Sequence, residues 1–301
     1  MNRLILLSVL FLTAMAAHQA RAAAAVIFYP PALSGATSFA DSIEALAPAE
    51  AGWLGQVVKV PLVPLDPGDS LARLRELKPR LVFTYGAFAT RSARSVLPKA
   101  WLIYAGVPFP ENEGFIEDDR MVGVAAWGSP QGLFQLLNSV RPVRKLAVLY
   151  SDMHDASVRP LLARLKEAGF DPSSIELNEA PVIEEVVRSI MNGGYGALLI
   201  LPSPPMSNPD RLRYVITQCV RGSILPVAGD PALVQEGALC AVTPGSRATA
   251  ATALAAGKKL LSTGSRGQAL YWPSTFLRIV NQSVEAAFRL DRPLPADRSI
   301  E

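Results

Sequence analysis

KLAVLYSDMHDASVRPLLARLKEAG, residues 145–169, is the stretch that decides the fold. It opens with the apolar run Lys145 to Tyr150, and a continuous run of this kind is typical of a strand buried on both faces of a parallel sheet. Four apolar side chains then recur at i, i+3, i+4 and i+7: Val158, Leu161, Leu162 and Leu165. That spacing places them on one helical face and predicts a helix from Ala156 to Gly169, with Gly169 as its C-cap.

The same alternation of strand and helix extends over the rest of the chain. Further strands are predicted at Ala25–Tyr29, Gln56–Val60, Arg80–Tyr85, Trp101–Ala105, Met121–Ala125, Ser174–Leu177, Ala197–Leu201, Leu225–Gly229 and Ala238–Val242. Helices are predicted at Asp69–Leu77, Pro130–Val140, Val182–Met191, Pro209–Arg221 and Arg247–Ser262. Asp69 or Ser70 is available to cap the first of these helices. The alternation predicts an α/β fold of two doubly wound parallel-sheet lobes.

A domain boundary is predicted near Trp127 to Pro142, because the pattern of strand and helix starts afresh after Pro142. Chain length agrees with two lobes, since the chain without its first 22 residues still exceeds the usual single-domain size of about 100 to 200 residues. The predicted helix Pro130–Val140 would carry the first crossing between the lobes.

The first 22 residues have the order of a secretory signal peptide. Arg3 supplies a positive start, the apolar run Leu4 to Ala17 follows, and Ala20-Arg21-Ala22 resembles a cleavage site of small residues. A membrane anchor is the competing interpretation, but the run is shorter than the roughly 18 to 20 apolar residues that cross a bilayer. We therefore expect cleavage after Ala22, a periplasmic mature protein and no stable membrane insertion after cleavage.

Charge and composition favour a well-packed protein without affinity for nucleic acid. The chain has 29 Lys and Arg against 26 Asp and Glu, and removal of residues 1–22 takes away Arg3 and Arg21, so the mature net charge is +1. Nucleic-acid binding needs Lys and Arg clustered on one face of a protein. A net charge of +1 gives no electrostatic signal of such a surface. Hydrophobic content of 50% with 18% charged residues supports buried cores.

The sequence lacks the usual motifs of catalysis and cofactor binding. His154 is the only histidine after the predicted signal peptide, and no G-x-S-x-G elbow accompanies it to form a hydrolase triad. The G-x-G-x-x-G and G-x-x-x-x-G-K-[ST] phosphate motifs are absent as well. One histidine and two distant cysteines make a poor zinc set. We predict that the protein is not an enzyme and that it has no cofactor and no metal site.

The sequence leaves open whether its two cysteines, Cys219 and Cys240, form a disulfide. An oxidising compartment would allow a disulfide between them. The alternative is a pair of buried free thiols that pack as small apolar side chains. Cys219 shares one face of its predicted helix with Leu212, Val215 and Ile216, and we expect that face to turn to the sheet.

Four tyrosines lie at or near the carboxyl ends of predicted strands: Tyr29, Tyr85, Tyr104 and Tyr150. In open α/β sheets, ligands bind beyond the carboxyl ends of the strands. Core packing would account for any one of these tyrosines. Together they favour a cleft that stacks on a flat or apolar ligand.

Several stretches of the chain resemble one family, the periplasmic substrate-binding proteins of the tryptophan/tyrosine type that serve ABC transporters. The stretches are Met121–Trp127, Gln135–Pro142, Lys145–Ser151, Ala197–Ser203 followed by Asn208, and Asp230 with Val234–Leu239. The resemblance implies a type I periplasmic-binding fold, in which two lobes joined by three crossovers close on a ligand by hinge motion. The N-terminal lobe would then contain residues 23–128 and approximately 245–270, and the C-terminal lobe residues 129–244 and approximately 271–301.

The resemblance also implies which loops line the ligand cleft. In the first lobe, Tyr85, Gly86 and Ala87 match the loop that offers backbone donors, where other members commonly have Gly-Thr-Pro. In the second lobe, Ser151 and Asp152 match the loop after the first strand. These residues, together with Tyr29, are candidate ligand contacts.

Two further candidates come from later loops of the second lobe. Ser203 lies in the next ligand loop, and Asp230 matches the acid that is expected to pair with an amino group of the ligand. The competing interpretation makes Asp230 the N-cap of a short helix that opens at Pro231. Val242 and Thr243 stand where the family often has a Tyr-Gly pair, which is a departure from its pattern.

Three functions are compatible with an exported two-lobed chain. The leading one is an extracytoplasmic solute-binding protein that captures a small molecule, an amino acid or a similar small metabolite, for an ABC permease. The alternative is a ligand-sensing subunit for a membrane signalling receptor, because both roles use the same closing cleft. An exported hydrolase is disfavoured by the lack of histidine and of nucleophile motifs.

Overall fold

The computed structural model describes residues 25–127, 129–150, 155–177, 183–201, 208–288, 290 and 293–300. The predicted signal peptide, His154 and three predicted ligand contacts, Ser151, Asp152 and Ser203, lie outside these residues. The described chain divides into two compact units. The first unit contains residues 25–107, 115–125 and 249–271, and the second contains the described parts of residues 108–114, 126–248 and 272–300.

Strands and helices alternate along most of the described chain. The strands are β1 (Ala25–Tyr29), β2 (Val57–Pro61), β3 (Leu81–Tyr85), β4 (Trp101–Ala105), β5 (Met121–Val124), β6 (Lys145–Tyr150), β7 (Asp171–Glu176), β8 (Ala197–Ile200), β9 (Leu225–Ala228), β10 (Cys240–Thr243), β11 (Leu270–Tyr271), β12 (Leu277–Asn281) and β13 (Arg298–Ile300). The helices are α1 (Ala36–Leu46), α2 (Ala51–Leu54), α3 (Gly68–Leu77), α4 (Ala87–Val96), α5 (Pro130–Asn138), α6 (Asp155–Glu167), α7 (Ile183–Asn192), α8 (Pro209–Arg221), α9 (Pro231–Gln235), α10 (Ser246–Thr263) and α11 (Gln282–Phe288).

The first unit is built on a parallel sheet with the strand order β11-β5-β4-β3-β1-β2. Alternate residues of its strands enter two different cores, because successive side chains of a strand point to opposite faces. Helix α1 covers one face through Phe39 and Ile43, and α4 covers the other through Ala89 and Ala93. The chain therefore leaves β1 and β3 towards opposite faces, and the carboxyl ends of these neighbouring strands form a topological switch point.

The second unit contains a sheet with the order β13-β12-β10-β9-β8-β6-β7. Neighbouring strands of this sheet pair in parallel, except that β10 and β12 are antiparallel. Helices α5 and α6 pack on one face through Leu133 and Leu165, and α7 and α8 pack on the other through Ile190 and Leu212. These two sheets confirm the predicted α/β fold with two parallel-dominated sheets.

Local signals at the helix ends agree with the sequence at most positions. Gly169, with φ +107°, follows α6, and its N–H donates to the carbonyl oxygen of Lys166 while that of Phe170 donates to Leu165. This pair of hydrogen bonds is a Schellman motif, which uses glycine because the left-handed φ carries no Cβ penalty there. Asn208 caps α8 by accepting hydrogen bonds from Asp210 N and Arg211 N.

One predicted cap is wrong. Helix α3 begins at Gly68, so Asp69 and Ser70 lie inside its first turn, and no side chain caps its start. The Ser70 hydroxyl instead donates to the carbonyl oxygen of Pro61, 2.9 Å away, and ties the helix to the end of β2.

Cys219 and Cys240 are free thiols, and both are buried. Cys219 packs with Leu212, Val215 and Ile216 in the core between α8 and the sheet, as predicted from the helical spacing. Burial raises the pKa of each thiol to about 12, because the apolar core disfavours the thiolate. Within the described residues, no helix is both long and apolar enough to cross a bilayer.

Candidate ligand-binding site

Glycines shape the loops at the switch point of the first unit. Gly86 follows β3 with φ +83°, and its N–H donates to the carbonyl oxygen of Ala105 at 2.8 Å. A Cβ atom on Gly86 would lie 2.7 Å from Cδ2 of Leu33, so the loop after β1 packs directly on the loop after β3. Glycine is required here because other residues adopt this φ only with strain.

Tyr85, the last residue of β3, is half-buried beside these loops. The centre of its ring lies 5.4 Å from that of Phe39 on α1. A Cβ atom added to Gly35 or to Gly106 would come within 2.6 Å of the Tyr85 side chain. Tyr85 therefore fills the space that these two glycines leave free. Its side chain lines the carboxyl edge of the first unit's sheet.

Two helices begin at this edge without a side-chain cap. Helix α1 starts after Gly35 and α4 starts after Gly86, and neither glycine has a side chain that could cap the first turn. The first N–H groups of a helix have no partner inside the helix, and they lie at the positive end of its dipole. Ala36 N already donates to the carbonyl oxygen of Leu33 at 3.1 Å. The later N–H groups of the two first turns are the ones that can donate hydrogen bonds to an anionic group such as a carboxylate.

Apolar side chains flank the two helix starts. Leu33 is 43% exposed on the loop after β1, and Phe88 is 41% exposed in the first turn of α4. Large apolar side chains at the rim of a polar pocket favour a ligand with an apolar portion. The edge thus combines backbone donors with apolar surface.

Two of the four tyrosines of the sequence lie deeper than this edge. Tyr104 is fully buried in the core against Phe115, with ring centres 5.2 Å apart, so it does not line a cleft. Tyr29 is 8% exposed at the end of β1, next to Tyr85 on the adjacent strand. A ligand contact by Tyr29 stays a prediction.

In the second unit, Trp127 covers the carboxyl end of β9. Its ring packs against Gly229, where a Cβ atom would collide with it, and its centre lies 4.9 Å from that of Phe109 in an edge-to-face arrangement. The indole Nε1 donates a hydrogen bond to the carbonyl oxygen of Pro108. Trp127 is half-buried, so it presents an aromatic surface that is held on two sides.

Asp230 lies directly after this contact, as the first residue beyond Gly229. One carboxylate oxygen accepts a hydrogen bond from Ala232 N at 2.8 Å, and Asp230 is therefore the N-cap of α9. Among the described residues no other group bonds to this carboxylate, and Asp230 is only half-buried. The capping interpretation is confirmed, and the free oxygen leaves capacity for a ligand group.

The structure thus brings Tyr85, Gly86 and Ala87 together at the edge of the first unit and places Asp230 at the edge of the second. Four residues at these edges were not predicted as site residues: Leu33, Phe88, Phe109 and Trp127. Leu33 and Phe88 had a local signal, since each lies within four residues of a strand end and two residues from a glycine. Among the described residues, no group of three His, Cys, Asp or Glu side chains lies close enough to hold a metal ion.

Comparison with known proteins gives matches in structure but not in sequence. No family model matches the chain, and no curated protein is similar to it. A ligand-free, open structure of a substrate-binding protein with adhesive properties from Clostridium difficile matches with a TM-score of 0.64 and 15% identity, over 92% of this chain and 99% of that one. The ABC domain in complex with L-Trp from Streptococcus pneumonia matches with a TM-score of 0.56 and 16% identity, over 93% and 100%.

A repressor of the LacI family from Corynebacterium glutamicum also matches, with a TM-score of 0.45 and 14% identity over 85% of this chain and 97% of that one. At these identities the likeness concerns the fold. The chain has a type I periplasmic-binding-protein-like fold, in agreement with the order of strands in its two sheets.

Proposed function

We propose that this protein is an extracytoplasmic solute-binding protein that captures a small molecule for an ABC transporter. The observation that carries the proposal is the pair of uncapped helix starts, α1 and α4, at the switch point of the first unit. Open α/β sheets bind their ligands at such a point, and the glycines that precede the two helices supply no side-chain acceptor to the first N–H groups. The matched substrate-binding protein from Clostridium difficile supports the same role.

The proposed ligand is an amino acid or a similar small metabolite with an apolar or flat portion. Its carboxylate would accept hydrogen bonds from the first turns of α1 and α4. An apolar side chain would contact Leu33 and Phe88, and a flat one would stack on Trp127. The matched complex with L-Trp is consistent with such a ligand.

The amino group of that ligand would pair with Asp230. Asp230 uses one oxygen as a helix cap, and its carboxylate has no second partner among the described residues. A charge-assisted hydrogen bond to an ammonium group would compensate for the partial burial of the carboxylate. Ser151, Asp152 and Ser203, which lie outside the described residues, remain proposed contacts from the second lobe.

A thermal-shift screen of the mature protein against amino acids and related small metabolites tests this function. We expect a raised melting temperature with one or a few carboxylate-bearing compounds, because a ligand at a hundred times its Kd stabilises the folded state by about 2.7 kcal/mol. The same compounds should shift Phe88→Ala less, because this variant removes apolar surface at the proposed site.

Met191→Ala is the matched control for the screen. Met191 is another exposed apolar side chain, 37% exposed, and it lies at the end of α7 that leads into the amino end of β8. Its variant should keep the full ligand-induced shift. An equal loss of shift in Phe88→Ala and Met191→Ala, or full retention in both, would contradict the proposed site.

A further inference from the structure

The amino edge of the first unit's sheet contains an open cavity of about 530 Å³. It lies where β3, β4 and β5 begin, at the opposite end of these strands from the proposed ligand site. The lining residues that bear on binding are Lys78, Arg80, Lys99, Arg120, Trp101 and Leu97. Four of these residues carry a positive charge, and no carboxylate lines the cavity.

The four cations of this cavity are Lys78, Arg80, Lys99 and Arg120. Within the described part of the chain, none of them forms an ion pair. Two acids precede Arg120 in the chain, and both are already paired: Asp118 with Arg94 at 2.7 Å and Asp119 with Arg266 at 3.4 Å. Like charges held around one cavity repel one another, and this repulsion is relieved when an anion enters.

One wall of the cavity is apolar and aromatic. The guanidinium carbon of Arg120 lies 5.1 Å above the centre of the Trp101 ring, which is a cation–π distance. Arg120 Nη1 also donates to the carbonyl oxygen of Lys99 at 3.2 Å, so this guanidinium is held in place before any ligand arrives. Val96 and Leu97 continue the wall beside the half-buried Trp101 ring.

We propose that this cavity is a second binding site, for an oxyanion that carries more than one negative charge and an apolar or aromatic portion. Phosphate monoesters have this chemistry, either as free small molecules or as the headgroups of anionic lipids. Arg80, Lys99 and Arg120 bind the oxyanion, because guanidinium and ammonium groups are the preferred partners of phosphate oxygens. Trp101 contacts the apolar portion. The site is independent of the proposed solute site.

Titration with phenyl phosphate, followed by tryptophan fluorescence and calorimetry, tests the second site. We expect a fluorescence change in the wild type that is absent in Trp101→Phe, while calorimetric binding persists there. The double variant Arg80→Gln/Lys99→Gln should weaken binding of phenyl phosphate about tenfold or more, since each substitution removes one positive charge close to the anion. Raising the salt concentration from 0.05 to 0.5 M should weaken wild-type binding as well, because exposed charges are screened.

Arg221→Gln is the matched control, because Arg221 is an exposed cation at the end of α8 in the other unit. It should bind phenyl phosphate as the wild type does. A parallel arm measures flotation with vesicles that contain phosphatidic acid, whose headgroup is a phosphate monoester. Loss of either phenyl phosphate or vesicle binding in the double variant supports the site and identifies the source of the anion. Absence of both kinds of binding in the wild type overturns it. So does calorimetric binding that the double variant leaves unchanged, or a fluorescence change that persists in Trp101→Phe.

Discussion

At the scale of single residues, the proposed site depends on glycines that leave room for neighbouring side chains. Gly86 and Gly35 adopt positive φ values, and they lie against Leu33 and Tyr85 respectively. Gly229 plays the corresponding part in the second unit, where the ring of Trp127 occupies the place of a Cβ atom. Each glycine precedes the first turn of a helix or a capping residue, so a side chain there would displace the groups that we expect to meet ligand.

Gly86→Ala should destabilise the protein by about 1 to 3 kcal/mol, because alanine at φ +83° is strained. The Leu33 side chain can move, so the contact with it contributes less than the backbone. Urea unfolding measures the change. Gly52→Ala on α2 is the control, because no atom lies within 4 Å of a Cβ atom built there. It should be neutral or stabilising by up to about 1 kcal/mol. Equal stability of the two variants would refute the strain argument.

The two roles of Asp230 can be separated by two substitutions. Asn caps a helix about as well as Asp, so Asp230→Asn should change the free energy of unfolding by no more than a few tenths of a kcal/mol. Asp230→Ala removes the acceptor of the Ala232 N–H and should cost about 1 kcal/mol. Denaturant unfolding of both variants is the measurement. A loss of stability in the Asn variant as large as that in the Ala variant would mean that charge, rather than capping, stabilises this turn.

Some site residues were accessible from the sequence and others were not. Tyr85 ends a predicted strand, and Gly86 and Asp230 follow predicted strands directly. Their place at a carboxyl edge could therefore be predicted from the order of elements. Trp127 could not be identified as part of the site, because its contacts with Gly229 and Phe109 join segments that are distant along the chain. Contacts of this kind depend on how the crossing segments pack, and hydrophobic periodicity does not report that.

At the scale of elements, continuous apolar runs were the reliable signal. The predicted bounds of β1, β4 and β6 agree with the structure, because these strands are buried on both faces. Strand β7 begins three residues earlier than predicted, since it is an edge strand with a polar, partly exposed sequence that includes Pro172. Helix bounds agree within about two residues for α8 and α10.

Helices α1 and α4 were missed, although both begin at the proposed site. The buried positions of α1 are Ala36, Phe39, Ala40 and Ile43, which have helical spacing, but two of the four are alanines and give little contrast with their neighbours. Helix α4 buries only alanine and threonine side chains. The antiparallel strand β12 was also missed, because the alternation of strand and helix predicts only parallel neighbours.

The pairing of β12 with the segment before β13 gives a prediction about pH. Asp297 accepts hydrogen bonds from the Arg278 side chain at 2.9 and 3.0 Å and from Arg278 N at 2.9 Å. These bonds, chiefly those from the Arg278 side chain, lower the pKa of Asp297 from 3.8 to about 2. A carboxyl group with a lowered pKa in the folded state stabilises that state above its unfolded pKa, and the contribution disappears as pH falls to the folded pKa.

We therefore expect wild type to be more stable than Asp297→Asn by about 0.2 to 1 kcal/mol at neutral pH, since both side chains are partly exposed and solvent screens the pair. The difference should shrink between about pH 4 and pH 2, which is the window between the two pKa values. Urea unfolding over pH 2 to 7 measures it. A difference that persists unchanged at pH 2 would contradict the proposed role of the ion pair.

At the scale of the whole molecule, the restart of the pattern after Pro142 predicted two sheets, and the structure contains them. Residues 249–271 belong to the first unit. Local periodicity gives no signal for this return of the chain, and only the resemblance to a family led us to expect it. The carboxyl edges of the two sheets carry different chemistry: backbone donors with apolar side chains in the first unit, and an aromatic ring with a carboxylate in the second.

Isothermal titration of the ligand found in the screen, into wild type, Phe88→Ala and Asp230→Asn, tests this account most directly. We predict one ligand molecule per chain, weaker binding in both variants, and a loss of about ten- to a hundredfold in Asp230→Asn for a ligand with an amino group. Two ligand molecules per chain, or wild-type affinity in either variant, would contradict the proposed solute-binding function with contacts at Phe88 and Asp230.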